Sequence, residues 1–94
     1  MRRMEAEIAV VTGGGGDACD PVSFVWRGRS YVVRDVLGRW RERVPWWRAV
    51  LDGADAGELE ERVWRVAASP GRTPSVGIYE LGHARSWRLL RVQD

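Results

Sequence analysis

Apolar and polar residues alternate with a period of two in a stretch of the chain that is rich in aromatic residues. Residues 22–27 read VSFVWR and residues 30–36 read SYVVRDV. A period of two is typical of a strand with two unlike faces, and β-branched and aromatic side chains suit a half-buried pleated surface. The connecting Arg27-Gly28-Arg29 predicts a tight turn, because glycine accepts the positive φ that a hairpin turn needs. This stretch therefore predicts a β-hairpin.

The second strand of this hairpin continues beyond its first apolar residues. Gly38 permits a bend or a bulge of the kind that curls a sheet. Beyond it, Arg39, Arg41 and Arg43 occupy every second position until Pro45 stops the pattern. The second strand is expected to extend through Gly38 to Trp40, and the three arginines alternate with Trp40, Glu42 and Val44.

Four further runs of strand length complete the pattern. They are residues 7–12, 63–69, 76–81 and 87–92. Between Trp46 and Arg62, good helix formers predict one short helical segment. Short strands at such spacing favour closure of the sheet, which removes exposed edges. The sequence therefore predicts an all-β single domain over residues 1–94, with about six antiparallel strands in a small curled sheet or barrel of SH3-like or OB-like type. Residues 1–6 are expected to be a loose N-terminal end.

Composition alone does not identify a partner. The chain has 94 residues and a formal net charge of +2, and all fifteen of its basic residues are arginine. A net charge this small indicates no partner unless the charges cluster. The planar fork of arginine suits phosphate, carboxylate and aromatic partners, so the positions of the arginines matter more than their number.

Residues suited to catalysis or metal binding are scarce. Cys19 and His83 are the only cysteine and the only histidine, and a nucleophilic or metal site needs several such groups together. His83 falls in a predicted hairpin turn, and Glu58, Glu60 and Glu61 indicate a solvated face. We therefore predict no enzyme activity, no metal and no cofactor.

The sequence also lacks the signals of membrane insertion and export. No stretch approaches the roughly 20 apolar residues of a membrane span. Arg2 and Arg3 are not followed by an apolar segment of the length that a signal peptide needs. A cytoplasmic protein with no membrane partner is expected.

Several motifs carry a resemblance to a known family. They are FVWRGRSYVVRDVLGRW at 24–40, the tryptophan pair at 46 and 47, VWRV at 63–66, GIYEL at 77–81 and WRLLRV at 87–92. In this order they resemble a small domain of unknown function that is common in actinobacteria and occurs as stand-alone proteins of about this size. A similar pattern appears near the C-terminus of ImuB-type, Y-family-like polymerase subunits of the mutasome. The resemblance covers roughly residues 7–94. It implies an association with DNA damage and carries over no catalytic residue.

Arginine and aromatic side chains on neighbouring strands form the remaining candidate site. Small β-barrels that bind single strands place arginines beside the phosphates and stack bases on aromatic rings. We therefore predict a non-catalytic binding module that contacts DNA, single-stranded or duplex, or a DNA-repair protein. The predicted contact residues are Arg27, Arg29, Arg39, Trp40, Arg41, Arg43, Trp46, Trp47 and Arg48.

The same residues also suit a protein-interaction module with no nucleic-acid contact, because interface hot spots are enriched in Trp, Tyr and Arg. Self-association through an open sheet edge belongs to this alternative. Arginines gathered on one face favour nucleic acid, whereas arginines mixed with carboxylates around an apolar patch favour a protein. Trp26, Trp64 and Trp87 are expected in the core. Trp46 and Trp47 are adjacent and cannot both point inward from an extended segment, so one exposed ring is expected among Trp40 and this pair.

Overall fold

Seven antiparallel strands form one sheet in the computed structural model, which describes residues 2–13, 20–44, 60–71, 74–84 and 86–93. In chain order the strands are β1 (Arg2–Glu7), β2 (Ala9–Thr12), β3 (Pro21–Trp26), β4 (Arg29–Arg43), β5 (Glu60–Pro70), β6 (Gly77–His83) and β7 (Trp87–Gln93). The sheet curls into a half-barrel. The all-β prediction is confirmed, and the described residues contain seven strands rather than about six.

The two edge strands of the sheet, β1 and β2, follow one another directly in the chain. The strand order is β1-β7-β6-β5-β4-β3-β2, and only Ile8 separates β1 from β2. The Ile8 side chain is buried, and its backbone N–H donates to the carbonyl oxygen of Trp87 at 3.1 Å. The two edge strands of the curled sheet therefore meet at Ile8, beside the start of β7.

The N-terminal residues are a strand and not the loose end that the sequence predicted for residues 1–6. Arg2 is opposite Val92 and Glu7 is opposite Arg88 across the β1–β7 pair. Met4 and Ala6 are the only apolar residues of RRMEAE, too few to predict a strand from periodicity, and backbone pairing with β7 holds the segment in strand conformation. The predicted first strand at residues 7–12 is accordingly divided between β1 and β2.

The β3–β4 hairpin confirms the prediction made from the Arg27-Gly28-Arg29 sequence. The strands pair from Trp26 opposite Arg29 to Ser23 opposite Val32. Arg27 has a φ of 55° and Gly28 a φ of 74°, the combination of two positive φ values that type I′ hairpin turns require.

The long strand β4 is bent by two irregularities in its pairing with β5. The register shifts between Val33 and Asp35, and again between Val36 and Gly38. Bulges of this kind increase twist and curl a sheet, as predicted for the neighbourhood of Gly38. Among the described strands, β3 covers the other edge of β4 only as far as Val32. Residues 33–43 therefore have a described strand partner on one side only, which is β5.

The hydrophobic core lies on one face of the curled sheet. Trp64, Val66 and Ala68 of β5 are buried there, as their alternation predicted. The ring of Phe24 stacks on that of Tyr31 with centroids 5.0 Å apart. Stacked and edge-to-face aromatic pairs add about 0.5–1.5 kcal/mol beyond the area that they bury.

The predicted core tryptophans occupy this face to different depths. Trp64 is only 5% exposed. Trp26 and Trp87 are partly buried and pack against the core. Core truncations are therefore expected to be most costly at Trp64.

The helical segment predicted between Trp46 and Arg62 is wrong at its C-terminal end. Glu60 to Arg62 lie in β5, opposite Arg43 to Arg41 of β4, because pairing with a neighbouring strand overrides local helix propensity. Glu61 is buried, which corrects the solvated face that was predicted for it. The remainder of the predicted helix, together with Glu58, lies outside the described residues.

Candidate nucleic-acid interface

Four arginines of β4 and β5 share the face of the sheet that carries the core. Arg41 lies directly opposite Arg62, and Arg39 lies opposite the core residue Trp64. Because side chains alternate between faces along a strand, Arg43 belongs to the same face. We call Arg39, Arg41, Arg43 and Arg62 the arginine row. Arg41 and Arg62 therefore present two positive charges side by side across the β4–β5 pair.

An aromatic stack continues the arginine row onto the next two strands. Arg62 lies opposite His83 of β6, and His83 lies opposite Trp87 of β7. The imidazole of His83 stacks on the Trp87 ring with centroids 4.4 Å apart and an interplanar angle of 16°. Trp87 in turn contacts Trp64, with centroids 4.9 Å apart. His83 is therefore the last residue of a strand and part of a ring stack, and not the exposed turn residue that the sequence predicted.

Burial and charge together keep the His83 ring neutral at physiological pH. Burial lowers the pKa of His83 below its usual value of 6.5, and the positive charge of Arg62 lowers it further. A neutral imidazole offers one nitrogen donor, one nitrogen acceptor and a flat apolar face.

Replacing His83 with phenylalanine should reduce the loss of the free energy of unfolding as the pH falls. A group whose folded-state pKa is lowered contributes stability that is fully present above its unfolded pKa, near 6.5, and is lost as the pH falls through the folded value. The wild-type free energy of unfolding should therefore fall more than that of His83→Phe between about pH 7.5 and about pH 5.5. Urea unfolding at a series of pH values measures the difference. Because the chain has one histidine, parallel profiles for the two proteins would contradict this assignment.

Asp20 anchors one end of the arginine row. Arg39 binds it through two nitrogens, with Nε donating to Oδ1 at 2.8 Å. The indole Nε1 of Trp64 donates to the same Oδ1 at 3.0 Å. The hydrogen bond from Arg39 is the main cause that lowers the pKa of Asp20, although partial desolvation acts in the opposite direction. Arg39 thus has a counter-ion, whereas Arg41 and Arg43 form no ion pair with another residue in the described part of the chain.

A cavity of about 220 Å³ adjoins this ion pair. Asp20, Arg39, Arg41, Arg62 and Trp64 contribute to its lining. Most sites for whole ligands occupy roughly 300–1,000 Å³. This cavity therefore suits one group of a larger ligand, such as a phosphate.

Glu42 and Glu61 of the same strands lie on the opposite face of the sheet, whereas Glu60 shares the face of the arginine row. Glu42 alternates with the arginines of β4 and accepts a hydrogen bond from Trp40 Nε1 at 2.8 Å. Arg91 of β7 bridges Glu42 and Glu80, and the hydrogen bond to Glu42 is the main cause that raises the pKa of Arg91. Glu42 therefore alternates with the arginines of the row along the sequence, but it lies on the opposite face of the sheet. Trp40, predicted to share the arginine surface, lies on this acidic face.

Comparison with known proteins gives one match. The family model described as "Domain of unknown function (DUF6504)" covers residues 1–94. The chain belongs to the DUF6504 family. No curated protein and no solved structure matches it.

The DUF6504 chain shows no metal cluster and no membrane helix in the part that the structure describes. No group of three or more His, Cys, Asp or Glu residues that could hold a metal ion is found there. Within the same residues, no helix has the length and apolarity needed to cross a bilayer.

The contact residues predicted for this DUF6504 chain lie in separate parts of the structure. Arg27 and Arg29 are exposed at the β3–β4 turn, where the Arg27 guanidinium lies 4.5 Å from the centroid of the Trp26 ring. Twelve positions along β4 separate Arg29 from Arg41, which corresponds to roughly 30–40 Å of strand. The turn arginines are therefore remote from the arginine row. Trp46, Trp47 and Arg48 lie outside the described residues.

Sequence reasoning missed three residues of this site. The sequence pattern places Arg62 in a helical segment and His83 in a turn, and it assigns no role to Asp20. The sequence contains a signal for one contact, since His83 and Trp87 flank a hairpin-sized spacer and are therefore candidates for a cross-strand pair. Arg62 joins the row through the β4–β5 register, which cannot be read from one strand alone.

Proposed function

We propose that this chain is a non-catalytic DNA-binding module and that the arginine row and the His83–Trp87 stack form its contact surface. The observation that carries the proposal is the continuous cross-strand line from Arg41 through Arg62 and His83 to Trp87. It combines the two elements that single-strand binding uses, which are cations for the phosphates and flat rings for the bases.

The distribution of charge between the two faces favours nucleic acid over a protein surface of mixed charge. Glu42 and Glu80 are held by Arg91 on the far face. On the near face, Asp20 pairs with Arg39, and Glu60 lies opposite Arg43. Arginines gathered on one face provide the electrostatic footprint of a nucleic-acid-binding protein.

The stack of His83 on Trp87 supports a contribution of unpaired bases to DNA binding. His83 is partly exposed, while its ring is supported by Trp87 behind it. A base stacked on such a ring contributes about 1–3 kcal/mol. Binding should therefore depend on base stacking as well as on charge.

The cellular role is proposed from resemblance. Small barrels of OB-like or SH3-like type bind oligonucleotides on a curled sheet, and the half-barrel here offers a comparable surface. The similarity to the C-terminal region of ImuB-type mutasome subunits favours a role accessory to DNA repair or lesion bypass in the cytoplasm. A shared fold alone does not transfer an activity, so the proposal depends on the site.

Titration of tryptophan fluorescence with single-stranded and duplex oligonucleotides tests the proposal. At low salt we expect saturable quenching that weakens as salt is added, because phosphate contacts release counterions. Single strands should quench more than duplexes, since their bases are free to stack. Unchanged fluorescence and no binding at low salt, where electrostatic attraction is strongest, would contradict the proposal.

A protein-interaction module is the second candidate. Val11, Val25 and Val32 are 60%, 42% and 38% exposed. The β2–β3–β4 register places them on one face, where they form an apolar patch beside the stretch of β4 that has a described strand partner on one side only. Exposed apolar patches and open sheet edges are sites of protein association, including self-association. Absence of oligonucleotide binding in the titration would favour this candidate.

A further inference from the structure

A second cavity lies on the arginine row where it meets β6. It has a volume of about 190 Å³ and is lined by Arg41, Glu60, Glu61, Arg62 and His83. Arg41, Arg62 and His83 stand in one cross-strand line. Glu60 begins β5 opposite Arg43 on the same face. The cavity thus combines a flat ring, two guanidinium groups, the exposed carboxylate of Glu60 and the buried side chain of Glu61.

These groups offer a specific combination of hydrogen-bonding sites. Each guanidinium only donates, and an ionised carboxylate only accepts. A planar ligand that fits both must present acceptors on one edge and donors on another. The neutral imidazole of His83 can stack against its plane.

Guanine is the base with this combination. Its O6 and N7 accept a bidentate bond from arginine, and its N1–H and 2-amino groups donate toward a carboxylate that can accept through both oxygens. Thymine has two carbonyl acceptors and lacks the amino donor. In a duplex, the N1–H and 2-amino groups of guanine face cytosine, so only an unpaired guanine can reach Glu60.

We infer that the cavity between Arg41, Arg62, His83 and Glu60 is a subsite for one unpaired guanine of a single strand. This inference rests on the proposed function and adds to it a base preference and a strand preference. Arg41 and Arg62 contact the O6 and N7 edge, Glu60 accepts from N1–H and the 2-amino group, and His83 stacks on the ring.

Fluorescence anisotropy with short labelled oligothymidines tests the subsite. The strands carry guanine, thymine, inosine or 7-deazaguanine at one central position. Guanine should bind about tenfold more tightly than thymine. Inosine, which lacks the 2-amino group, and 7-deazaguanine, which lacks N7, should each lose part of that gain. Annealing the guanine strand to its complement should remove the preference.

The variant Glu60→Gln distinguishes guanine recognition at the subsite from general binding of single strands. Glutamine keeps the size of the side chain but has one acceptor oxygen in place of two. The variant should bind oligothymidine at least as tightly as the wild type, because it loses a negative charge beside the arginine row, and it should discriminate less between guanine and inosine. Equal wild-type affinity for guanine and thymine strands would overturn the subsite and leave the proposed function standing. No binding of any strand at low salt would overturn both.

Discussion

Replacing Trp64 with alanine should reduce the free energy of unfolding by about 3–5 kcal/mol, as truncation of large buried aromatic residues does. Trp64 is only 5% exposed, and its ring contacts that of Trp87 at 4.9 Å between centroids. Its indole N–H also donates to Asp20, so the variant loses a hydrogen bond together with its core packing. Thermal unfolding should show a decrease in Tm of roughly 12 °C or more.

Trp40→Ala is the matched control for this experiment. It removes the same side chain from the neighbouring strand, directly opposite Val63 on the other face of the sheet. Trp40 is partly exposed, so its removal leaves less unfilled space and should cost less. Equal destabilisation by the two substitutions, or a Trp64→Ala protein as stable as the wild type, would show that Trp64 does not occupy the core as described.

The double substitution Arg41→Ala/Arg43→Ala should weaken DNA binding more than a change of equal charge at described residues outside the arginine row. Both side chains are exposed on the face that carries the arginine row. Each lost phosphate contact reduces the slope of log affinity against log salt by about 0.7–0.9, so two contacts reduce it by about 1.4–1.8. Affinity at low salt should decrease by roughly tenfold or more. Oligonucleotide titrations at several salt concentrations measure both quantities.

Arg27→Ala/Arg29→Ala removes the same charge from the β3–β4 turn and is the control. These side chains are exposed and remote from the row along β4, so the slope should change little. If the two double variants lost affinity equally, net charge and not the arginine row would determine binding. Thermal unfolding of both variants verifies that the fold is retained.

The sequence is sufficient to predict elements whose signal is local. The Arg27-Gly28 turn is specified by its own residues, because two positive φ values are required at adjacent positions. The alternation of Arg39, Arg41 and Arg43 likewise places them on one face without further information. The same alternation places Trp40 on the other face, so assigning it to the arginine surface contradicted the period of the strand.

Elements that depend on distant partners could not be predicted in this way. Residues 2–7 form β1 because β7 pairs with them, although their two apolar residues, Met4 and Ala6, are too few to predict a strand. Glu60 to Arg62 have helix-forming side chains and lie in β5 because β4 and β6 flank that strand. The position of Arg62 and His83 beside Arg41 follows from register across three strands, and register is set by pairing along the whole strand.

The continuity of β1 and β2 through Ile8 has a consequence for the order of folding. Five of the six strand pairs join strands that follow one another in the chain, whereas β1 pairs with β7 at the far end of the sequence. Long-range pairing carries the largest loop-closure entropy and forms slowly. During synthesis, residues 2–7 emerge before their partner strand exists, while the successive hairpins from β2 to β7 can already assemble. Docking of β1 is then the closing step, and until it occurs the free edge of β7 is available to another nascent chain.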